Sequence, residues 1–199
     1  MTSTAVYIRA AVPTDAATLA RLQVDSYRRA YRGLLPDAFL QRFTVEEQQA
    51  DWRVMLPSEA GEAVLLATTE TDEALGYAMA RVPRAMAPGG EGELVSLHVR
   101  SDSQGGGVGK ALFEAASAWL AGEGCRSMIV WVLVGNQAAA FYEHLGGTPA
   151  GRGRTALGSI RRPCRGPMMV GWSSSPGWTT SGSVTCCGRT TSNSEPVSF

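Results

Sequence analysis

Apolar and polar positions follow two rhythms along the first three quarters of the chain, one typical of strands and one of helices. Strand-like runs occupy residues 6–10, 63–69, 74–82, 94–99 and 127–134. Helical spacing of apolar residues covers 16–30, 37–43, 44–55, 107–121 and 136–145. The succession of strand, helix and strand in the later part predicts an α/β domain with a β–α–β crossover.

The residues at the starts of the helices support this division. Thr14 or Asp15 is placed to cap the first helix, because short polar side chains accept hydrogen bonds from the first helical N–H groups. Thr44 and Glu47 have the spacing of a capping box at the start of the third.

The run at residues 127–134 is almost continuously apolar. Such a strand is expected in a sheet that is covered on both faces. Trp131 in this run and Trp119 in the preceding helix are therefore expected in the core.

Composition changes near residue 154. Residues 1–151 carry a net charge of −5, and residues 152–199 carry +5. Residues 155–199 are rich in Ser, Thr, Gly and Pro and contain three of the four cysteines. Only residues 167–172 look like a strand there. We expect a domain over residues 1–154 and an irregular, mostly disordered tail over 155–199.

The charge and the cysteine pattern exclude several classes of protein. The formal net charge is zero, so nothing indicates a general binder of nucleic acid or of acidic membranes. No apolar run reaches the length of about 18 residues needed for a membrane span, and no signal peptide is evident. The four cysteines and two histidines lack zinc-like spacing. We expect a reduced, metal-free, cytoplasmic protein.

A glycine-rich turn lies between the predicted strand at 94–99 and the helix that follows it. Four of the six residues from Gln104 to Gly109 are glycine. Glycine lets the backbone come close to a ligand, and a helix start offers unpaired N–H groups with the positive end of the helix dipole. The turn and Lys110 are therefore predicted to hold a pyrophosphate.

This turn and a second motif carry a family resemblance. Gln104 to Gly109 fits the pattern Q/R-x-x-G-x-G/A, and residues 136–143 read NQAAAFYE, followed by Leu145 and Gly146. With the order of strands, these motifs resemble the GCN5-related N-acetyltransferase (GNAT) superfamily over residues 6–151. Residues 31–36 and Trp52 also resemble the front helices of many bacterial members.

The resemblance implies a fold, a cosubstrate and a reaction. The fold would be the GNAT-like α/β fold, a mixed sheet splayed between its fourth and fifth strands with flanking helices. The donor would be acetyl-CoA, and the acceptor a primary amine on a small molecule or a peptide. Attack would be direct, in a ternary complex of a monomer or homodimer, since no cysteine lies beside the motifs.

The resemblance also assigns the cofactor-binding residues. The backbone of the central strand would pair with the pantetheine arm, the turn would hold the pyrophosphate, and Asn136 would reach the arm from the other side. The full set is Leu97, His98, Val99, Gln104, Gly105, Gly106, Gly107, Val108, Gly109, Lys110, Asn136 and Phe141.

Two residues are expected to be catalytic on the same grounds. Tyr142 matches the tyrosine that protonates the leaving thiolate, and Glu93 matches the usual position of the carboxylate base. Glu91 is the second choice, and a water chain is a third. Some members carry a glutamate on the later strand, where this chain has Trp131.

Simpler roles stay open for several of these residues. Asn136 lies six residues before Tyr142, where the family usually has seven, and it also suits a helix cap. Tyr142 could be an ordinary core aromatic, Glu93 a solvated charge at a strand end, and His98 a strand residue without a role in the reaction. Lys110 could simply form an ion pair with Glu114 on the helix surface.

Two other functions compete with acetyl transfer. One is a CoA-binding protein without catalytic activity. The other is a module for a different nucleotide, which is disfavoured because no GK[ST] and no acidic ribose-binding residue follow the turn.

The family normally ends with two strands that form a hairpin beside the acceptor site. Here only residues 167–172 suit the second of these strands. We hypothesise that the natural reading frame was lost near residues 154–160. Translation of the other two frames of the gene tests this, and the absence of a family-like strand in both would exclude it.

Overall fold

A computed structural model describes residues 5–56, 60–83, 90–156 and 165–174 of the chain. The strands in these ranges are β1 Tyr7–Ala10, β2 Glu62–Thr68, β3 Ala74–Arg81, β4 Glu91–Val99, β5 Ser127–Leu133, β6 Thr148–Ala156 and β7 Arg165–Ser174. The α-helices are α1 Ala16–Ala30, α2 Asp37–Arg42, α3 Val45–Met55, α4 Val108–Gly122 and α5 Ala138–His144. Short 3-10 turns lie at Pro13–Asp15 and Ser101–Ser103.

The strands form one mixed sheet in the order β1-β2-β3-β4-β5-β7-β6. Only β4 and β5 are parallel among these described strands. Their pairing is short and ends at Leu94–Val130, although β4 continues to Val99 and β5 to Leu133. The second halves of the two strands therefore border a gap in the middle of the sheet. This confirms the splayed mixed sheet expected for the fold.

Each face of the sheet is covered by its own apolar core. On one face α4 buries Leu112 and Leu120 against residues such as Val130. On the other face α1 and α3 pack on β2 and β3, with Trp52 and Tyr77 as the large buried side chains. Burial of these side chains is the main force that holds the helices to the sheet.

A third, smaller cluster lies at the C-terminal end of β5. Leu133 is buried there against Leu35 and Leu40, with Phe39 and Leu34 packed around them. Because Leu35 and Leu40 come from the segment that joins α1 to α3, this contact fixes that segment beside the gap. A Cβ at Gly135 would lie 3.1 Å from Leu34, which shows how closely the two segments approach.

The strands and helices predicted before residue 146 are present, with ends that differ by a few residues. The predicted capping box is confirmed in part, because Thr44 Oγ1 accepts a hydrogen bond from the Glu47 N–H at 3.3 Å. The predicted cap of α1 is right in position and wrong in its bonding, because Asp15 is the N-cap residue but makes no side-chain cap bond to that helix. Its carboxylate binds Arg9 at 2.7 Å and the Val12 N–H at 2.8 Å instead.

The expectation that Trp131 lies in the core is also wrong, because 37% of the residue is exposed. Its neighbours Val130 and Val132 are buried on the α4 face, so Trp131 points to the opposite face. The helices of that face pack on β2 and β3 and leave this part of β5 uncovered.

The C-terminal strands add to the sheet beyond β5. β7 contains residues 167–172, where the sequence indicates a strand, and pairs with β5 from Met128–Ser174 to Leu133–Met169. β6 pairs with β7 and continues to Ala156, two residues past the expected boundary at 154. Residues 157–164 and 175–199, which the expected disordered tail also covers, lie outside the described residues.

Candidate active site

The turn between β4 and α4 has a backbone conformation that glycine adopts without strain. The φ angle is +76° at Gly105 and +85° at Gly107, in the left-handed region. Residues 104–107 are exposed. Gln104 Nε2 donates to the Val99 carbonyl at 3.3 Å and so ties the turn to the end of β4. The turn is therefore open to solvent and anchored at its start.

Helix α4 presents unpaired backbone N–H groups at this turn. Gly107 is the N-cap, and the first bond of the helix runs from the Ala111 N–H to the Gly107 carbonyl at 3.0 Å. The N–H groups of Val108, Gly109 and Lys110 precede it, so they have no intrahelical acceptor. Together with the helix dipole they form a site that suits a phosphate group.

Gly109 lets α5 approach the start of α4 closely. A Cβ at this position would lie 3.4 Å from two atoms of the Phe141 ring and 3.6 Å from Val99 Cγ2. Three of the expected cofactor-binding residues, Val99, Gly109 and Phe141, are thus brought together. Lys110 is on the helix surface, where its Nζ lies 3.8 Å from Glu114 Oε1, which confirms the expected surface pair.

The C-terminus of α5 fixes the position of Tyr142. The Gly147 N–H donates to the Tyr142 carbonyl at 2.9 Å, and the Gly146 N–H donates to the Glu143 carbonyl at 2.9 Å. These two bonds, with φ +87° at Gly146, form a Schellman motif. A Cβ at Gly147 would lie 2.9 Å from the Tyr142 carbonyl oxygen, so the motif needs glycine there.

The Tyr142 side chain is buried in the α4-side core, where it packs against the rings of Phe113 and Phe141. Burial raises the pKa of its hydroxyl well above 10, and the nearby Tyr31 hydroxyl adds to the effect. Tyr31 belongs to the end of α1 on the opposite face of the sheet, where it packs beside Leu133.

Asn136 serves the start of α5. Its Oδ1 accepts a hydrogen bond from the Ala138 N–H at 2.9 Å, and its carbonyl accepts from the Ala139 N–H at 3.2 Å. This is the capping role that the sequence left open for Asn136. The hydrogen bond from the Ala138 N–H uses the Oδ1 atom of the Asn136 amide, so it is compatible with a donor role for the Nδ2 atom.

Leu97, His98 and Val99 form the part of β4 that borders the gap. They pair with Ala78, Tyr77 and Gly76 of β3 on one side. Leu97 and Val99 point towards the α4 core. The other backbone edge of these three residues faces the gap.

His98 points to the opposite face and is almost completely buried. Its Nδ1 lies 2.8 Å from Ser26 Oγ, and its ring packs between Tyr27 and Tyr77, with centroid distances of 5.3 and 5.2 Å. Burial lowers the pKa of this imidazole from about 6.5 to about 4. The side chain is therefore neutral near pH 7.

Glu93 lies on the α1 and α3 face, at the part of β4 that is still paired with β5. Its carboxylate forms an ion pair with the Arg81 guanidinium of β3, the residue directly opposite it. Arg81 is a member of the site that the sequence interpretation missed. Its position depends on the register between β3 and β4, which shifts by one residue near Met79.

Tyr27 and Tyr31 were also not assigned to the site from the sequence. Their four-residue spacing places them on one side of α1, and their rings pack at a centroid distance of 4.8 Å. This spacing is the signal that could have placed both beside the gap.

A splayed mixed sheet with an open glycine turn at the start of the crossover helix defines a class of acyl-CoA-dependent transferases. A profile of the acetyltransferase (GNAT) family matches residues 24–147, and the chain belongs to this family. It is an acyltransferase, and acetyl-CoA is its cosubstrate.

Two curated relatives and one solved structure show how similar the chain is to known proteins. An uncharacterised N-acetyltransferase, YuaI of Bacillus subtilis (strain 168), is 29% identical over 69% of this chain and 78% of its own length. The aminoglycoside N(6')-acetyltransferase type 1 of Stenotrophomonas maltophilia is 34% identical over 64% of this chain and 76% of its own length. PaiA N-acetyltransferase from Thermoplasma acidophilum, in complex with coenzyme A, has a TM-score of 0.66 at 17% identity, covering 86% of this chain and 99% of that one.

Two searches of the described residues gave no candidates. No group of three or more His, Cys, Asp or Glu side chains there could hold a metal ion. No helix in the described ranges is long and apolar enough to cross a membrane.

Proposed function

We propose that the protein transfers the acetyl group of acetyl-CoA to a primary amine on a small molecule, by direct attack in a ternary complex. The observation that carries this proposal is the exposed glycine turn, with three helix-start N–H groups, at the open end of the gap between β4 and β5. Family membership supplies the donor, and the geometry offers a place for each part of it.

The donor would bind along the gap. The pyrophosphate would accept hydrogen bonds from the N–H groups at the start of α4. The pantetheine arm would pair with the backbone of Leu97, His98 and Val99 along the gap, as an added strand does. Asn136 and Phe141 would contact the arm from the side of α5. This arrangement would place the thioester beside Tyr142.

Tyr142 would protonate the thiolate that leaves when the amine attacks. A tyrosine hydroxyl is protonated at neutral pH, so a proton is available for transfer, although burial, which raises the pKa, makes this hydroxyl a weaker acid in the free protein. Packing against the rings of Phe113 and Phe141 holds the side chain in one orientation. Such a positioned acid contributes about 10²-fold or more to a rate.

The amine must lose a proton before or during attack. Glu93 remains the candidate base, with Glu91 or a water chain as alternatives. The ion pair with Arg81 means that Glu93 shares its charge with a guanidinium in the free protein. Binding of a cationic amine beside Glu93 would compete with this contact. The cytoplasmic location and the monomeric or dimeric state stay predictions.

The relative named as an aminoglycoside N(6')-acetyltransferase supports a small-molecule amine as the acceptor. A CoA-binding protein without activity is the alternative, and the same measurements separate the two. Calorimetry with acetyl-CoA measures donor binding, and thiol release over a panel of amines measures turnover. Binding without turnover on any amine would favour the inactive protein.

The role of Tyr142 is tested by Tyr142→Phe, with Tyr7→Phe on the edge strand β1 as the matched control. We expect kcat to fall about 100-fold in the first variant, at an unchanged Kd for acetyl-CoA, because only the leaving-group proton is lost. The control should keep both values. An unchanged kcat in Tyr142→Phe would exclude the tyrosine as the acid.

A further inference from the structure

The exposed indole of Trp131 is unusual for the centre of a covered sheet. Trp131 lies in the middle of β5, which is bordered by β4 on one side and β7 on the other. A large aromatic side chain at such a position is ordinarily buried, yet 37% of this residue is open to solvent.

The residues that pair beside Trp131 in the sheet are glycines. Trp131 is paired with Gly171 of β7, and Gly171 is paired with Gly151 of β6. Residues directly opposite each other in antiparallel strands point to the same face. The row Trp131–Gly171–Gly151 therefore carries one large aromatic ring followed by two positions without a side chain. We call this row the indole shelf.

Two strand spacings set the width of the indole shelf at about 10 Å, since neighbouring strands are about 4.8 Å apart. A six-membered ring with one or two substituents fits on a flat surface of this size. Glycine at two adjacent positions of a row weakens a sheet, because it adds no packing and costs conformational entropy. A ligand that approaches the backbone closely is one reason to find glycine at such positions.

The indole shelf is continuous with the gap that would hold the acetyl group. Pairing between β4 and β5 ends at Leu94–Val130, so Trp131 is the first residue of β5 beyond the paired part. Leu133, two residues further on the same face, is covered by Leu35 and Leu40. The segment between α1 and α3 thus forms the upper wall beside the indole.

A carboxylate lies on the same face. Glu93 is opposite Ile129, which is two residues before Trp131 and on the same side of β5. Glu93 carries its charge in an ion pair with Arg81 that is partly open to solvent. A cation beside the indole would therefore lie near the Glu93 carboxylate and the π face of Trp131, next to the gap between β4 and β5.

We infer that the indole shelf selects the acceptor, and that the preferred acceptor is a primary amine attached through a short arm to a six-membered ring that stacks on Trp131. This inference rests on the proposed acetyl transfer. The ring lies over Trp131 and the two glycines, and the ammonium group points towards Glu93 and the gap. An extended peptide or a linear polyamine lacks the flat ring and gains nothing from the indole shelf.

The test compares primary amines that carry a six-membered ring on a short arm with linear amines, and a set of matched variants. The amines are 2-phenylethylamine, 6-amino-6-deoxyglucose, n-hexylamine and spermidine. The variants are Trp131→Leu, Trp131→Phe and Gly171→Val, with Val54→Ala on the exposed side of α3 as the control. Val54 is 60% exposed on α3, so Val54→Ala should not alter the ratio of kcat/KM between ring amines and linear amines.

We expect the wild type to favour at least one ring amine over n-hexylamine in kcat/KM by about 3- to 10-fold, the range of an aromatic stacking contact. Trp131→Leu should abolish the preference, mainly through KM. Trp131→Phe should retain part of it. Gly171→Val should remove it, because a β-branched side chain fits a strand but occupies the indole shelf. The two ring amines show whether an aryl or a sugar ring is preferred.

A second readout is independent of turnover. The indole N–H signal of Trp131, assigned by its absence in Trp131→Phe, should shift when 2-phenylethylamine or 6-amino-6-deoxyglucose is added to the complex with CoA. No shift with either amine, or equal kcat/KM for ring and linear amines in the wild type, would overturn the inference. Loss of acetyl-CoA binding, or failure to acetylate any amine, is a different result, which would count against the proposed function.

Discussion

The burial of His98 makes a quantitative prediction about stability in acid. Only 8% of the residue is exposed, and its imidazole is enclosed by Ser26, Tyr27 and Tyr77. The two tyrosines have pKa values raised above 10 and do not titrate below pH 7. Protonation of His98 in the folded protein would therefore place a charge among neutral groups.

The size of the effect follows from the pKa. Burial lowers the pKa of His98 to about 4, whereas an unfolded chain binds this proton near pH 6.5. Between these values the unfolded state binds more protons, so the folded state loses stability as the pH falls. A tenfold change in proton affinity is worth about 1.4 kcal/mol, so the loss is about 3 kcal/mol between pH 7 and pH 4. Below pH 4 both states are protonated and this contribution stops changing.

The assay is urea unfolding at intervals from pH 7.5 to pH 4 for the wild type, His98→Gln and His144→Gln. His144 is the other histidine of the chain and is exposed at the end of α5, so its replacement is the matched control. The wild type and His144→Gln should lose about 3 kcal/mol more than His98→Gln over this range. An NMR titration of the His98 ring in the folded protein gives a direct second measurement.

Two results would refute the reasoning. Equal pH dependence in the wild type and His98→Gln would show that His98 carries no linked proton. A folded-state titration of His98 near pH 6.5 would show that the ring is solvated rather than enclosed.

Three further predictions concern stability and donor binding. Gly107→Ala should lower the affinity for acetyl-CoA at least 3-fold and the unfolding free energy by about 1 kcal/mol, because the φ angle of +85° at this position strains any side chain. Calorimetry measures the affinity and urea unfolding measures the free energy. Gly122→Ala is the control, because Gly122 has an ordinary φ angle and open space around its Cα. Tyr77→Phe should lower the unfolding free energy by no more than about 1 kcal/mol, because the buried hydroxyl loses only its contact with Ser96, a neutral partner; a loss of more than about 2 kcal/mol in urea would contradict this. Thr44→Ala should cost about 1 kcal/mol through loss of the cap on Glu47 N–H, whereas Thr44→Ser should cost little.

The parts of the molecule that depend on local backbone geometry could be predicted from the sequence. The glycine turn is visible because positive φ angles at Gly105 and Gly107 require a residue without Cβ. The hydrogen bond to Thr44 follows from a three-residue spacing, and the strand and helix order follows from apolar periodicity. These features involve residues that are close in the sequence.

The parts that depend on distant contacts could not be predicted. Ser26 and His98 are 72 residues apart, and only the packing of α1 on β4 brings them together. The Arg81–Glu93 pair requires the register of β3 and β4, including its irregularity. The exposure of Trp131 depends on where the covering helices stop, and no pattern within β5 records this.

The divergence of β4 and β5 has a consequence for solubility. The edge of a sheet offers unsatisfied backbone groups to any other chain, and proteins ordinarily blunt or cover the edges at the outside of their sheets. Here the described part of the sheet has an additional edge in its interior, along residues 97–99 of β4. This edge lies between two strands rather than at the outside of the sheet, so a single thin flexible arm has better access to it than a folded neighbour has. The protein thereby keeps a strand ready to pair with a ligand without offering it to other copies of itself.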